Sequence, residues 1–189
     1  MTPISLGIFA SANQSAAATS FESISTVSIT SNGQSATFSS IPQTYTHLQI
    51  RMLHRGTDAG ANDTLYLRFN GLAPASGYRD HYLRGSGSSA VAGSAANSFL
   101  DLGNPGGNGN TTGIFGASVI DILDYTNTNK YKTIKTLMGY DANGSGRIQF
   151  RSGFLTTTTN AITDIDISTL AGGFVANSSI ALYGIKAAA

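Results

Sequence analysis

The sequence predicts an all-β fold, an antiparallel β-sandwich of jelly-roll type, and three observations support this prediction. Short runs of apolar and polar residues alternate with a period of two, which directs one side of each strand into a core. Gly, Asn, Pro and Ser separate these runs at short intervals, as in sandwiches and barrels. No segment keeps a convincing helical period over about three turns. We expect two four-stranded sheets, with an up-and-down barrel as the alternative.

The first two strands are expected on either side of Asn32-Gly33, at Ser23–Thr30 and Ser35–Ser40. Asn-Gly is the dipeptide best suited to the two positive φ angles of a type I′ turn. The sequence therefore predicts that these two strands form a tight hairpin.

The third strand is expected at His47–Leu53, after the break at Pro42. Leu48, Ile50 and Met52 alternate with other residues in this run, so they share one face of the strand. That face is expected to belong to the core.

The later strands follow from the same alternation, which directs Leu65, Leu67 and Phe69 of the next strand inward. The polar connection at 125–129 is suited to a longer hairpin, and residues 141–146 are suited to a turn between strands. Residues 85–113 form a long excursion rich in Gly, Asn and Ser, in which Phe99-Leu100 and Leu102 could make one short strand. The other predicted strands are Thr64–Phe69, Tyr78–Arg84, Ile114–Asp124, Lys130–Tyr140, Arg147–Phe154, Ala161–Ser168 and Ser179–Lys186.

The chain of 189 residues is long enough for one domain, which we place at residues 21–189. Residues 1–20 are small, polar and uncharged, and they are interpreted as an extended N-terminal arm. Ile8 and Phe9 are its apolar anchor, and we expect them to dock on a neighbouring subunit. A frayed terminus is the alternative.

Charge is scarce in this chain. Charged residues make up 11% and the formal net charge is +1, so Ser, Thr, Asn and Gly supply the polarity. Because net charge helps to keep a monomer soluble, such a surface is expected to be covered in part by partners. No cysteine is present, which excludes disulfides and thiolate nucleophiles. No apolar run approaches the roughly 20 residues that span a bilayer, so a membrane partner is not expected.

Candidates for catalysis are few, and no catalytic, cofactor or metal site is predicted. The three histidines are His47, His54 and His81. His81 follows Asp80, but neighbours on a strand point to opposite faces and cannot act together. Asp141 begins half of a calcium-loop pattern whose final carboxylate is missing, so a hairpin turn is expected there. We therefore expect a protein that is not an enzyme.

Lys130, Lys132 and Lys135 lie near Tyr125 and Tyr131 and could form a small basic patch with aromatics. Glycan and nucleic-acid surfaces use such residues. Three lysines in a chain of net charge +1 are weak evidence for a polyanion partner. No nucleic acid is expected to bind.

Four segments of the chain read SFESISTVSIT at 20–30, SIPxTYxHLQIR at 40–51, LRFN at 67–70 and SIALYGI at 179–185. These segments resemble virion structural proteins of tailed bacteriophages, particularly those of aquatic and cyanobacterial phages. The similarity covers most of residues 1–186, and its motifs are strand patterns that carry no catalytic residues. The excursion at 85–113 lies outside it.

The resemblance implies a capsid cement (decoration) protein, made in the host cytoplasm and located on the virion surface. Its implied partner is the major capsid protein, and capsid sites near three-fold axes favour a homotrimer. The alternative is a tail or fibre knob that recognises a host glycan through Tyr78, Tyr125 and Tyr131. A third class, a polysaccharide depolymerase, should show paired carboxylates, whereas the carboxylates here are scattered.

Overall fold

A computed structural model describes residues 20–187 of the chain, and every regular element in this part is a β-strand. The strands form two antiparallel sheets around one core, which confirms the predicted all-β antiparallel sandwich. The strands are β1 Phe21–Ser28, β2 Ala36–Phe38, β3 His47–His54, β4 Leu65–Phe69, β5 Tyr78–Gly85, β6 Ala90–Asn97, β7 Leu100–Gly103, β8 Gly116–Leu123, β9 Thr133–Asp141, β10 Gly146–Leu155, β11 Ile165–Thr169 and β12 Ser179–Ile185.

Eight strands have the connectivity of a jelly roll. The small sheet has the order β2-β11-β4-β7, and half of the large sheet has the order β1-β12-β3-β8. Strand β12 therefore lies between β1 and β3, while β11 lies between β2 and β4, so the chain passes repeatedly from one sheet to the other. This is the alternation of a jelly roll. We call β1, β12, β3 and β8 the jelly-roll half of the large sheet.

The other half of the large sheet has the order β9-β10-β5-β6 and joins the jelly-roll half at β8. It consists of two hairpins, β5–β6 and β9–β10, which come from different places in the chain. The hairpins meet because β10 pairs with β5 over the full length of β5. We call these four strands the extension. The two predicted four-stranded sheets are thus present, but one of them is doubled by strands that the prediction did not assign to it.

The predicted core stripes are confirmed. Leu48, Ile50 and Met52 of β3 are buried, and the facing strand β4 buries Leu65 and Leu67. Each stripe comes from one face of a strand, as the period of two requires. The core therefore lies between the two sheets, and it also includes Ile134, Met138 and Leu155 of the extension.

The prediction of an opening hairpin is wrong. β1 pairs with β12 and β2 pairs with β11, so the segments around Asn32-Gly33 belong to different sheets. Gly33 has a φ of 88°, but Asn32 does not have the positive φ that a type I′ turn needs. Gly33 N donates to Phe174 O at 2.9 Å, which holds the turn against a distant segment. A local turn signal fixed the bend, whereas long-range pairing decided which strands it joins.

The excursion at 85–113 is more ordered than its composition indicates. The short strand expected near Phe99-Leu100 is confirmed as β7, but β6 was not predicted. Arg55 is buried and its guanidinium donates to the backbone oxygens of Asn108, Asn110 and Thr111 at 2.7–3.0 Å. Those bonds fasten the glycine-rich loop that follows β7 to the sandwich.

Strand ends also differ from the prediction. Ala161–Ser168 was expected to be a strand, but β11 starts at Ile165 and ends at Thr169. The hairpins predicted around 125–129 and 141–146 are confirmed as β8–β9 and β9–β10. These boundary errors fall on strand ends, whose residues are set by pairing with neighbours.

Candidate interaction surface

Strand β10 has the opposite polarity to an ordinary sandwich strand. Its inner side carries Gln149 and Arg151, and Arg151 is only 4% exposed. Its outer side carries Ile148, Phe150 and Phe154, which are exposed, Ile148 by 68%. Apolar and polar residues alternate along β10, and this pattern is the same whichever side faces the core. The sequence therefore indicated a strand with one apolar and one polar side, but not which of the two faces inward. The apolar side faces solvent.

Neighbouring strands continue this apolar character across the sheet. Val119 of β8 is paired with Leu137 of β9, which is paired with Phe150, and Phe150 is paired with Leu83 of β5. Directly paired residues on one face have Cβ atoms about 4.5–5.5 Å apart, so these four form a continuous row. Each of them is exposed. The row spans four strands and carries no charge.

A second row lies beside the first and contains Leu53, Ala117, Gly139 and Ile148 in register. The two rows together make an exposed surface that we call the outer apolar face. Contiguous exposed apolar groups of this kind mark sites of interaction with other proteins. The large side chains of the outer apolar face are Leu53, Leu83, Val119, Leu137, Ile148 and Phe150.

The outer apolar face is not flat. The small residues Ala117 and Gly139 leave a depression of about 330 Å³ between Val119, Leu137 and Ile148. A second depression, of about 490 Å³, lies between Leu83, Phe150 and strand β6. Large side chains next to small ones give the relief that allows a partner's side chains to interdigitate.

A buried ion cluster holds β10 in this orientation. Arg151 Nη1 lies 2.9 Å from Asp80 Oδ2 of β5 and 3.0 Å from Asp101 Oδ2 of β7. The guanidinium also lies over the ring of Tyr82, 4.7 Å from its centroid. Burial raises the pKa of Asp80, and the Arg151 charge opposes that rise. A buried arginine needs these partners, so turning β10 over would leave both carboxylates unpaired.

A glycine lets the strand approach the small sheet closely enough for this cluster. A Cβ atom at Gly153 would lie 2.5 Å from Leu100 Cδ1 of β7 and 2.8 Å from the backbone oxygen of Arg79. Larger residues would push β10 away from β7. The ion cluster therefore depends on the absence of a side chain at Gly153.

The same inner layer holds a buried histidine. His54 Nε2 lies 2.6 Å from Ser118 Oγ, a contact that sequence reasoning missed because 64 residues separate the two. Burial lowers the pKa of His54 to about 4, so the ring is neutral at neutral pH. Both side chains are buried, and a substrate cannot reach this His–Ser pair in the folded chain. The pair is a structural contact between β3 and β8.

Two of the three tyrosines expected to contact a partner are core residues, and for them the prediction is corrected. Tyr78 is buried, and its hydroxyl accepts from Phe69 N at 3.0 Å and donates to Leu72 O at 3.1 Å. Tyr125 is buried, and its hydroxyl donates to the Pro42 carbonyl. Neither ring can stack on a glycan, because each one fills the interior.

Tyr131 is 48% exposed and remains a candidate for partner contact. Its ring centroid lies 6.5 Å from that of Phe154, so the two make an exposed aromatic pair. The other predicted contact residues of the chain, Ile8 and Phe9, lie outside the described residues.

The basic patch expected around Tyr131 does not form. Lys132 is buried, where its ammonium donates to Thr159 O at 2.8 Å and to Asn127 O, and burial lowers its pKa. Lys130 is paired with Asp124, which lowers the pKa of that carboxyl. Lys135 is the member of the three that stays exposed and without an ion pair in the described part.

No group of three or more His, Asp or Glu residues that could hold a metal ion occurs within residues 20–187. The calcium-like pattern at Asp141 is the β9–β10 turn, as expected, with Gly144 N donating to Asp141 Oδ1 at 3.3 Å. Over the same span, no helix has the length and hydropathy needed to cross a membrane.

Comparison of the chain with protein-family models, with curated proteins and with solved structures gives no match.

Proposed function

We propose that this protein is a non-enzymatic structural component of a virus particle, a capsid cement protein that binds the major capsid protein. The observation that carries the proposal is the outer apolar face, two adjoining rows of uncharged side chains that the fold holds toward solvent. An exposed surface of this kind favours a protein whose work is to bind another protein.

Three further points support the virion assignment. The four sequence segments described above resemble virion proteins of tailed phages. The jelly roll is a common fold of viral capsid domains, although this is an analogy of fold and says nothing by itself about function. Finally, a chain with 11% charged residues is suited to a surface that is largely covered in its working state.

The outer apolar face explains how such a protein would stabilise a capsid. Burial of apolar surface contributes about 25 cal/mol per Å², and the two depressions give a partner room to interdigitate. A protein that binds only the assembled capsid shifts the equilibrium toward assembly by mass action. On the capsid exterior, copies grouped as trimers around three-fold axes would bridge neighbouring capsid subunits.

Purified particles that contain this protein test the assignment directly. The cement function predicts many copies distributed over the head, measured by quantitative mass spectrometry and located by electron microscopy. A few copies confined to the tail would contradict it, and so would absence from the particle.

A pair of variants tests the surface itself. Ile148→Lys with Phe150→Lys places two charges on the outer apolar face, which should abolish binding to undecorated capsids. Both residues are exposed, so far-UV circular dichroism and the melting temperature should stay close to wild type. Leu170→Lys is the matched control, because Leu170 is an exposed leucine that lies beyond β11 of the small sheet. If the double variant and the control decorate capsids equally well, the outer apolar face does not bind them.

A receptor-binding knob is the second candidate, and the exposed Tyr131–Phe154 pair favours it. Exposed aromatic rings are the groups that stack on sugar faces. Glycan-array binding that is lost in Tyr131→Ala, together with a tail location, would support the knob over the cement protein. Array binding that Tyr131→Ala leaves unchanged would remove this residue from the knob hypothesis.

A further inference from the structure

The two edges of the large sheet are built differently. β1 forms one edge, and its pairing is interrupted by a bulge between Ser23 and Ser25. It also carries Glu22, which binds Lys186. Bulges and charges are the usual devices that keep an edge strand from pairing with another chain. β1 is thus a protected edge.

β6 forms the other edge and has none of these devices. It runs for eight residues in unbroken register with β5, and its sequence AVAGSAAN contains no charge and no proline. Most of its side chains are exposed, and within residues 20–187 no other strand pairs with it. Alternate residues therefore present backbone N–H and C=O groups to solvent in a straight line. Such an edge is a template for one more strand.

We propose that the occupant of this edge is β6 of a second copy of the chain, paired antiparallel about a two-fold axis perpendicular to the sheet. That axis keeps the same face outward in both copies, so each residue opposes one that points to the same side. With the axis at Gly93, Ala92 stands opposite Ser94 of the second copy, and Ala90 stands opposite Ala96. Every opposed pair is small and uncharged.

The surroundings of β6 fit this self-pairing. Arg79 of β5 is in register with Ala96, so it would lie in line with Gly85 of the second copy rather than with another arginine. On the inner side, the Tyr82 hydroxyl reaches over Gly93, where a Cβ atom would lie only 2.7 Å from it. Two Tyr82 hydroxyls would therefore meet near the axis. A phenol both donates and accepts, so it can bond to its own copy.

The pairing would join two large sheets edge to edge, with the outer apolar faces of both copies on the same side. Capsid binding by one copy would then favour binding by the second through effective concentration. Since a two-fold contact makes only pairs, it would link neighbouring trimers and could not build the trimer itself. The dimer contact does not depend on the identity of the capsid partner.

Sedimentation equilibrium of the full chain at micromolar concentration tests the proposal with two variants at the same sites. Ala92→Lys with Ser94→Lys places lysines directly opposite one another twice, so the dimer, or an even-numbered assembly built from it, should fall to half its mass. Ala92→Lys with Ser94→Glu places lysine opposite glutamate twice, so the wild-type mass should be kept. Thr26→Lys, on the β1 edge, is the control and should also keep it.

Several results would overturn this proposal. Pairing through β6 would be excluded if the wild-type chain is monomeric at all micromolar concentrations. It would also be excluded if Ala92→Lys with Ser94→Lys leaves the mass of the assembly unchanged. If the variant with Ser94→Lys and the variant with Ser94→Glu both dissociate, the register centred on Gly93 is excluded. The three substituted positions, 26, 92 and 94, are exposed, and far-UV circular dichroism of each variant checks that its fold is intact. Capsid binding is measured in a separate experiment. Failure of the β6 dimer can therefore be told apart from failure of the proposed capsid function.

Discussion

Strand β3 of the jelly-roll half and strand β10 of the extension belong to one continuous sheet, yet they divide apolar residues between their two faces in opposite ways. In β3 of the jelly-roll half, Leu48 and Ile50 point inward, while Arg51 points outward. In β10 of the extension, Arg151 points inward, while Ile148 and Phe150 point outward. The small sheet has only four strands, so the jelly-roll half has a full apolar partner and the extension does not.

This difference indicates that the two halves serve different purposes. The jelly-roll half stabilises the fold by closing a core. The extension is held by a buried ion cluster, which is a weak source of stability compared with apolar packing of the same volume. The exposed apolar side chains of β10 and its neighbours lie on the outside, where they are available to a partner.

The largest expected loss of stability comes from a comparison of Arg151 in the extension with Arg51 in the jelly-roll half. Arg151→Ala would leave the buried Asp80 and the partly buried Asp101 without their cation, and removal of one partner of a buried pair typically destabilises by about 3–5 kcal/mol. Arg51→Ala removes an exposed guanidinium that lies over the rings of Phe21 and Tyr183, a loss of about 0.5–1 kcal/mol. Urea denaturation of the two variants measures both free energies of unfolding. Equal losses would contradict the opposite polarity of β3 and β10.

The next effect compares two isoleucines in the same sheet. Ile50→Ala opens a cavity in the core, with an expected loss of about 2–5 kcal/mol. Ile148→Ala truncates an exposed side chain, and surface changes of this kind are usually within about 0.5 kcal/mol. Thermal unfolding of both variants checks the contrast. A loss at Ile148 comparable to that at Ile50 would show that Ile148 is a core residue of the isolated chain.

A third expected effect concerns pH and compares one histidine from each half of the large sheet. His54 binds a proton near pH 6.5 when unfolded but only near pH 4 when folded, because burial lowers its pKa. The unfolded state therefore binds more protons in this window, and stability falls as the pH drops through it. The expected loss between pH 6.5 and 4 is about 3 kcal/mol from this group, the part that His54→Gln should remove.

His81→Gln is the matched control, since His81 is exposed on the outer side of β5. Unfolding curves measured at several pH values should keep the wild-type slope in this control and lose part of it in His54→Gln. Parallel curves for all three proteins would contradict the burial of a neutral His54.

The sequence predicted most strands and the core stripes of β3 and β4, because alternation is a local property. It did not predict the outward apolar side of β10, because alternation is the same whichever side faces in. The side is decided by Asp80 and Asp101, which lie 71 and 50 residues away from Arg151 in the chain. Strand β6 was missed for a related reason. Its Ala, Gly and Ser residues have little strand preference, and pairing with β5 makes it a strand.

The central claim is that the outer apolar face is covered by another protein in the particle. The chain contains no cysteine, so Ile148→Cys introduces a single thiol there, and Leu170→Cys places one at an exposed control position. The claim predicts that maleimide labels both variants equally in the isolated protein, but labels only the Leu170→Cys variant in assembled particles. Equal labelling of both variants in the particle would contradict it.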